Sequence, residues 1–205
     1  MQPKSLMLAT SNPGKVVEIR ALLLAQSDLT SLTLLTPRDW PDLLPDVDET
    51  GATFAENARL KAVALVKATG LPALADDSGL CVDALEGAPG VHSARWAGES
   101  ATDLDRNRHL LSALAEVPTA LRTAHFVCAV CLALPDGRLV AAEGTCEGVL
   151  LDAPRGTNGF GYDPLFLLPQ FCLTMAELTL EAKNVYSHRA QAMLKIAPAL
   201  RKLLV

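Results

Sequence analysis

The chain has 205 residues, half of them hydrophobic and a fifth charged, with a formal net charge of −5 at pH 7. That length suits one domain with a real core, whole or split into two lobes and taken as 1–205, and the composition is that of a globular rather than a disordered chain. The acidic balance, with no run of Lys or Arg, excludes the basic face of a nucleic-acid binder, so no nucleic-acid polymer is expected as a partner.

An anionic small molecule remains open, because a few local cations suffice to hold one. The longest apolar runs, such as 126–134, are too short to span a bilayer, and no stretch has the layout of a signal peptide. No membrane partner and a cytoplasmic location are therefore expected. The five cysteines are odd in number and scattered, which fits a reducing compartment better than a disulfide framework.

In chain order, residues 6–9 read as a short buried strand running into Thr10-Ser11-Asn12-Pro13-Gly14-Lys15. Asn12 before Pro13 predicts a helix start, with Val16, Ile19, Leu22 and Leu23 on one face. Residues 36–48, rich in Pro and Asp, read as loop. Thr53 and Glu56 form a capping box for a helix through Ala58, Ala62 and Leu65, with Gly70 as its stop. Residues 72–75 read as a short strand leading into Asp76-Asp77. Residues 87–98 read as loop, and Thr102 caps a helix through Leu104, Leu110, Leu111 and Leu114. Strands at 125–134 and 138–145, joined by Pro135-Asp136-Gly137, predict a hairpin. Residues 154–164 are glycine-dense loop, and Thr174 with Glu177 is another capping-box pattern. A last helix starts near Ser187, with Pro198 as a kink or break. Alternating strands and helices followed by a hairpin predict an α/β protein with a mixed sheet.

Four polar segments each carry a functional and a plain structural reading. Residues 10–15, a strand feeding a helix N-terminus, suit a phosphate, with Lys15 as a point charge; the alternative is an ordinary turn with a surface lysine. Asp76-Asp77-Ser78-Gly79 is either a Mg²⁺ site or an acidic turn ending a strand. If strand geometry persists there, the two aspartates face opposite ways and do different jobs. In 158–164, glycines flank aromatics, so Phe160 or Tyr162 either stacks on a base or fills the core. Ser187-His188-Arg189 places a cation at a helix start, where an anionic or carbonyl ligand would suit it; the alternative is an exposed arginine. Cys128 and Cys131 would face opposite ways on a strand and are read as core. His92, His109 and His125 lack metal-ligand spacing.

Together these segments resemble the inosine/xanthosine triphosphate pyrophosphatase family, most of all its bacterial members. The matching stretches are 10–15; 49–54 with Asn57, Ala58, Lys61 and Ala62; 75–98; 159–166; and Lys183 with Ser187-His188-Arg189. They occur in the family's order. The resemblance implies an elongated, curved mixed sheet with flanking helices, two lobes around a central cleft, and a homodimer. It implies hydrolysis of inosine, deoxyinosine and xanthosine triphosphates, purine substrates, to a monophosphate and pyrophosphate with Mg²⁺ as cofactor. By the same resemblance, Thr10, Ser11, Asn12, Pro13, Gly14 and Lys15 cradle phosphate, Lys61 faces it, and Ser78 matches a substrate position. Asp77 is the general base and a metal contact, joined by Glu49 or its neighbour Asp48. Phe160, Gly161, Tyr162 and Asp163 line the nucleoside pocket, and Lys183, His188 and Arg189 complete the substrate site. A sensor that binds nucleotide without turnover, and a hydrolase of pyrimidine or modified triphosphates, are the rival functions.

Overall fold

The computed structural model describes residues 5–39 and 47–204, so most of the loop expected at 36–48 lies outside the described residues. Strand β1 (Ser5–Leu8) leads to helix α1 (Pro13–Leu24) as the sequence predicts. Asn12 Oδ1 accepts the N–H groups of Gly14 and Lys15 at 2.9 and 3.2 Å, and Pro13 fills the first turn, where a missing N–H is harmless. A three-residue strand, β2 (Thr33–Leu35), pairs parallel with β1. Helix α2 (Phe54–Thr69) opens on the Thr53–Glu56 capping box and stops at Gly70, whose left-handed backbone at φ 69° suits glycine.

Strand β3 (Ala73–Val82) departs from expectation, because it does not end before the aspartates. It is a central strand between β1 and β4 (Thr123–Ala133), and backbone pairing carries it straight through Asp76 and Asp77. Strand β5 (Leu139–Leu150) is also longer than expected and passes through Gly144 and Gly148, residues that normally weaken a strand. Close approach explains them. A Cβ on Gly144 would overlap the backbone of His188 and Ala192, and one on Gly148 would overlap the Phe166 ring. Two short strands, β6 (Phe166–Leu168) and β7 (Leu173–Thr174), follow antiparallel. The sheet is mixed, in the order β2-β1-β3-β4-β5-β6-β7.

Helix α3 (Asp103–Ala113) begins at the Thr102 cap, with a box closed by Asp105. The Thr174–Glu177 box opens only a single 3-10 turn, and an unanticipated helix, α4 (Leu180–Tyr186), follows under a Thr179 cap. Helix α5 (His188–Leu204) runs through Pro198 without breaking. The carbonyl that loses its bond there belongs to Leu194, whose side chain is 72% exposed, so water can take the lost donor's place. Among the described residues, no helix is long and apolar enough to cross a membrane.

The fold divides into two compact units. One holds Met1–Asp77, Cys128–Gly144 and His188–Val205, as far as they are described; the other holds Ser78–Val127 and Thr145–Ser187. In the first, Leu6, Ile19, Leu74, Val130 and Met193 share a core with Cys128, while Cys131 joins Ala58, Ala62 and Ala75 in another. The two cysteines thus serve opposite faces of β4, as strand alternation requires. In the second unit, Leu80, Leu110, Phe126 and Phe166 form the core, the two rings lying 4.4 Å apart.

Gly144→Ala is expected to destabilise the protein by about 1–3 kcal/mol through overpacking against α5, read as a lowered midpoint of thermal unfolding.

Candidate active site

Strand alternation puts Asp76 and Asp77 on opposite faces of β3, and each meets a different set of charges. Asp76 is buried. Its Oδ2 lies 3.0 Å from Lys15 Nζ and accepts from Arg189 Nε and Nη2 at 3.4 and 3.1 Å. Arg189 is itself buried and also pairs, through Nη1, with Glu18. Glu18 sits one turn beyond Lys15 on α1, buried on the apolar face. The result is a chain of alternating charge, Lys15–Asp76–Arg189–Glu18, that ties α1 and α5 to the middle of the sheet. Burial alone would raise the Asp76 pKa, but Lys15, Arg189 and Lys61 outweigh it and hold the carboxyl well below the usual range. Burial likewise opposes the Arg189 charge, and Asp76 and Glu18 outweigh that too. Asp76 Oδ1 has no hydrogen-bond partner among the described residues.

Asp77 faces α2. Its Oδ1 accepts from Lys61 Nζ at 2.9 Å and its Oδ2 from Asn57 Nδ2 at 3.2 Å. Lys61 also donates to Glu49 Oε1 at 2.9 Å, so two carboxylates face each other across one ammonium. Asn57 Oδ1 accepts from Gly51 N–H at 2.8 Å, which fixes the segment carrying Glu49 against the helix. Helical spacing accounts for the pair of α2 contacts, since residues four apart share a face. Here burial wins: it pushes the Asp77 pKa up, with Glu49 adding to it and Lys61 and Lys15 opposing. Lys61 is raised as well, because burial is outweighed by Asp77, Asp76 and Glu49 together. Lys61 answers to three carboxylates and stays cationic, while Asp77 shares its ammonium with Glu49 and is the weaker acid of the two aspartates. Asp48, the alternative to Glu49, is exposed, and its backbone carbonyl accepts from Thr50.

The second unit holds its own polar cluster. Asp163 is buried, accepts the Phe160 N–H at 3.0 Å and pairs with the buried Lys183 of α4. The Lys183 ammonium lies 4.9 Å from the centroid of the half-buried Phe160 ring. A side chain on Gly159, at φ 73°, would overlap Asp163, so glycine is required there. Tyr162 is the opposite case. It is a buried core residue whose hydroxyl donates to Ser93 O at 3.0 Å, whereas Phe160 stays half-buried.

The segment 10–15, expected to cradle phosphate, is partly committed to its own fold, as Asn12 already takes the Gly14 and Lys15 amides, while Ser11, Asn12 and Pro13 are exposed. Thr10 Oγ1 accepts from Asn12 N–H at 3.3 Å. Ser78 is half-buried on β3. His188 is buried at the start of α5, and Arg189 beside it is not the exposed arginine of the plainer reading. The three remaining histidines are engaged elsewhere: His92 beside Arg95, His109 edge-on to Trp96, and His125 at 3.8 Å from Asp83. No group of three His, Cys, Asp or Glu residues able to hold a metal occurs among the described residues. Sequence reasoning missed Glu18, and it matched Asn57 to the family without giving it a role. The signal for Glu18 was a charge inside an apolar helical face, at 16, 19, 22 and 23.

Residues 6–199 match the model of the Ham1 family. The chain belongs to the Ham1 family. Among its relatives, a dITP/XTP pyrophosphatase of Streptomyces avermitilis is 53% identical over 199 residues, covering 97% of this chain and 98% of the relative. A dITP/XTP pyrophosphatase of Geobacter sulfurreducens is 54% identical over 188 residues, 92% of each. The structure of a HAM1 protein from Coxiella burnetii superposes with a TM-score of 0.85 at 40% identity, covering 97% of this chain and 99% of that one. In this chain Asp76 and Asp77 lie in mid-strand, under opposite electrostatic influences.

Those influences have opposite consequences for stability. The lowered Asp76 pKa contributes stability that is present above the ordinary carboxylate value and is lost as pH falls below it toward the folded value. The raised Asp77 pKa acts in reverse, costing stability above the folded value and nothing below the ordinary one. At pH 7, Asp76→Asn is expected to lose about 3–5 kcal/mol, as when one partner of a buried ion pair is removed. Asp77→Asn is expected to raise the unfolding midpoint slightly. Thermal unfolding at pH 7 checks both signs, and the gap between the two variants narrows on acidification.

Proposed function

We propose that this Ham1 protein hydrolyses non-standard purine nucleoside triphosphates, namely inosine, deoxyinosine and xanthosine triphosphates, to the monophosphate and pyrophosphate. The observation that carries the reading is the splitting of Asp76 and Asp77. One carboxyl is held as an anion by Lys15 and Arg189, and its neighbour, on the opposite face against Lys61 and Asn57, is raised above the ordinary carboxylate value by burial. The names of the relatives support the substrate class.

Asp77 is the general base: it takes the proton of the attacking water, with Asn57 and Lys61 holding its two oxygens in place. Lys15 and Lys61, each still partly exposed, offset the charge that develops on the pyrophosphate as it leaves. The Lys15 ammonium at the head of α1 orients the phosphates, with Thr10, Ser11, Asn12, Pro13 and Gly14 shaping the approach and Ser78 at the substrate position. Asp76 stays an anion throughout and fixes the Lys15 ammonium.

A divalent cation fits the donor set. Glu49 and Asp77 are hard oxygen ligands that already share a cation, the Lys61 ammonium, and Mg²⁺ is commonly held by one or two carboxylates plus substrate phosphates. When bound, Mg²⁺ would supply charge neutralisation at the phosphates and acidify a coordinated water. Asp77 and Glu49 are the residues assigned to hold it. Asp48, exposed, is the weaker candidate.

Phe160, braced by Lys183 and Asp163, stacks on the base, with Gly161 and Tyr162 shaping the loop. Selectivity follows from the purine 6-substituent, a carbonyl in hypoxanthine and xanthine and an amino group in adenine. A buried donor satisfies the first and opposes the second, and each such donor left unpaired costs about 1–3 kcal/mol. The Arg189 guanidinium is already engaged by Asp76 and Glu18, so the donor to the carbonyl is assigned to a backbone N–H instead. His188, buried beside it, completes this part of the substrate site. The protein is further proposed to act as a cytoplasmic homodimer.

A pyrophosphate-release assay on inosine and adenosine triphosphates tests the reading. Release from the inosine substrate that requires Mg²⁺, with little from adenosine triphosphate, is expected. Asp77→Asn should lower kcat by about 10²–10⁴-fold. Equal rates on the two bases, release of orthophosphate alone, or near-normal turnover by Asp77→Asn would contradict it.

A further inference from the structure

The aromatic loop of the second unit is held from outside by a helix that the proposed function leaves unused. Gly161 follows Phe160 and is left-handed at φ 62°. Both of its backbone polar groups are taken by side chains of α3. Its N–H donates to Asp103 Oδ2 at 2.7 Å, and its carbonyl accepts from Asn107 Nδ2 at 2.8 Å. Asp103 and Asn107 are one helical turn apart on a shared face, so they grip the two ends of one residue. The Asn107 amide is tied to that face by a second bond, to Asp103 O at 2.8 Å, and the two carbonyl acceptors fix which amide atom is the nitrogen.

The grip is itself supported. Arg106 pairs with Asp103 and donates to Ala94 O at 3.0 Å and Ala101 O at 2.5 Å, joining the start of α3 to the turn at Gly90–Arg95. The same turn receives the Tyr162 hydroxyl at Ser93 O, while Ser93 Oγ accepts from Leu80 N–H at 2.9 Å and donates to Gly90 O at 2.7 Å. Gly161 and the residue after it, Tyr162, are therefore anchored to one network. Asn107 Oδ1 is buried without a hydrogen-bond partner among the described residues. A polar side chain with a buried, unmatched oxygen is a poor choice for packing alone, and a leucine would fill the space without that defect.

We infer that Asp103 and Asn107 are positioning residues for the nucleoside site, setting the orientation of Phe160 by clamping the Gly161 peptide groups. The inference rests on the reading of Phe160 as the ring that stacks on the purine. A fixed ring meets the base without first losing freedom, so the clamp acts on substrate affinity and leaves the hydrolytic step alone.

The test measures kcat and KM for inosine triphosphate in Phe160→Ala, Asn107→Leu, Asp103→Ala and Asp103→Asn, alongside thermal unfolding and hydrogen exchange at the Gly161 amide. Phe160→Ala should raise KM by roughly 5- to 150-fold, the range of base–aromatic stacking. Asn107→Leu and Asp103→Ala should raise KM by about fivefold or more with kcat little changed, and Asp103→Ala should speed exchange of the Gly161 amide. Asp103→Asn keeps an acceptor for that amide and should restore KM toward the parent value. Asn107→Leu combined with Phe160→Ala should be no worse than Phe160→Ala alone. If Phe160→Ala raises KM while Asn107→Leu and Asp103→Ala leave it unchanged, the positioning role is overturned and the stacking reading stands. If Phe160→Ala also leaves KM unchanged, the stacking reading falls and takes the positioning role with it. A fall in thermal midpoint with unchanged KM would make the clamp purely structural and would equally overturn the proposal.

Discussion

A carboxylate stripped of water in the middle of a sheet is unstable unless cations replace its hydration, and Asp76 is in that position. Its Oδ2 gathers Lys15 from α1 and Arg189 from α5, and Arg189 in turn needs Glu18 to balance its own buried charge. Each member of the series is buried or nearly so, and each is tolerable only because the next is there. Elements that are distant in sequence are thereby held in one arrangement, since moving any of them strands a charge. Such networks add less to stability than their Coulomb attraction suggests, because desolvation offsets most of it. What they enforce is geometry, and here it fixes the Lys15 ammonium at the head of α1.

One residue along the same strand, the balance reverses. Asp77 has Lys61 and Asn57 as partners, but Glu49 competes for the same ammonium, and burial prevails. The chemical difference between the two aspartates therefore comes from the two-residue period of a strand rather than from the residues themselves. Continuing β3 through Asp77 is what makes the difference possible. A turn at that point would have left both carboxylates in comparable surroundings.

The helix starts were legible in the sequence because caps are local: Asn12-Pro13, the Thr53–Glu56 box and Thr102 each act within one turn. The full length of β3 was not, since the charges at 76 and 77 hide a strand that is sustained by neighbours far away in sequence. Strands β2, β6 and β7 are two or three residues long, too short to show a period. The Thr174–Glu177 box was recognised, yet only a single turn follows it, because capping supplies a start and tertiary packing decides the length. Within the candidate site, the residue types were legible and their partnerships were not. Phe160 and Tyr162 look alike in a glycine-rich loop, and only the hydroxyl contact to Ser93 separates the buried ring from the accessible one. Glu18 reads as a stray charge on an apolar helix face until Arg189, 171 positions later, explains it.

The make-up of the two compact units bears on how such a chain comes to fold. Each is assembled from separated stretches, and the chain passes from one to the other at 77/78, 127/128, 144/145 and 187/188. A ribosome that has released the first 77 residues has delivered Asp76 and Lys15 but not the arginine that completes their charge balance. That arrives with α5, after the whole of the other unit has been made. Until then the Asp76 carboxylate lacks one of its two direct cationic partners, and a break at 187/188 would take that partner away while leaving every residue of the other unit on one fragment.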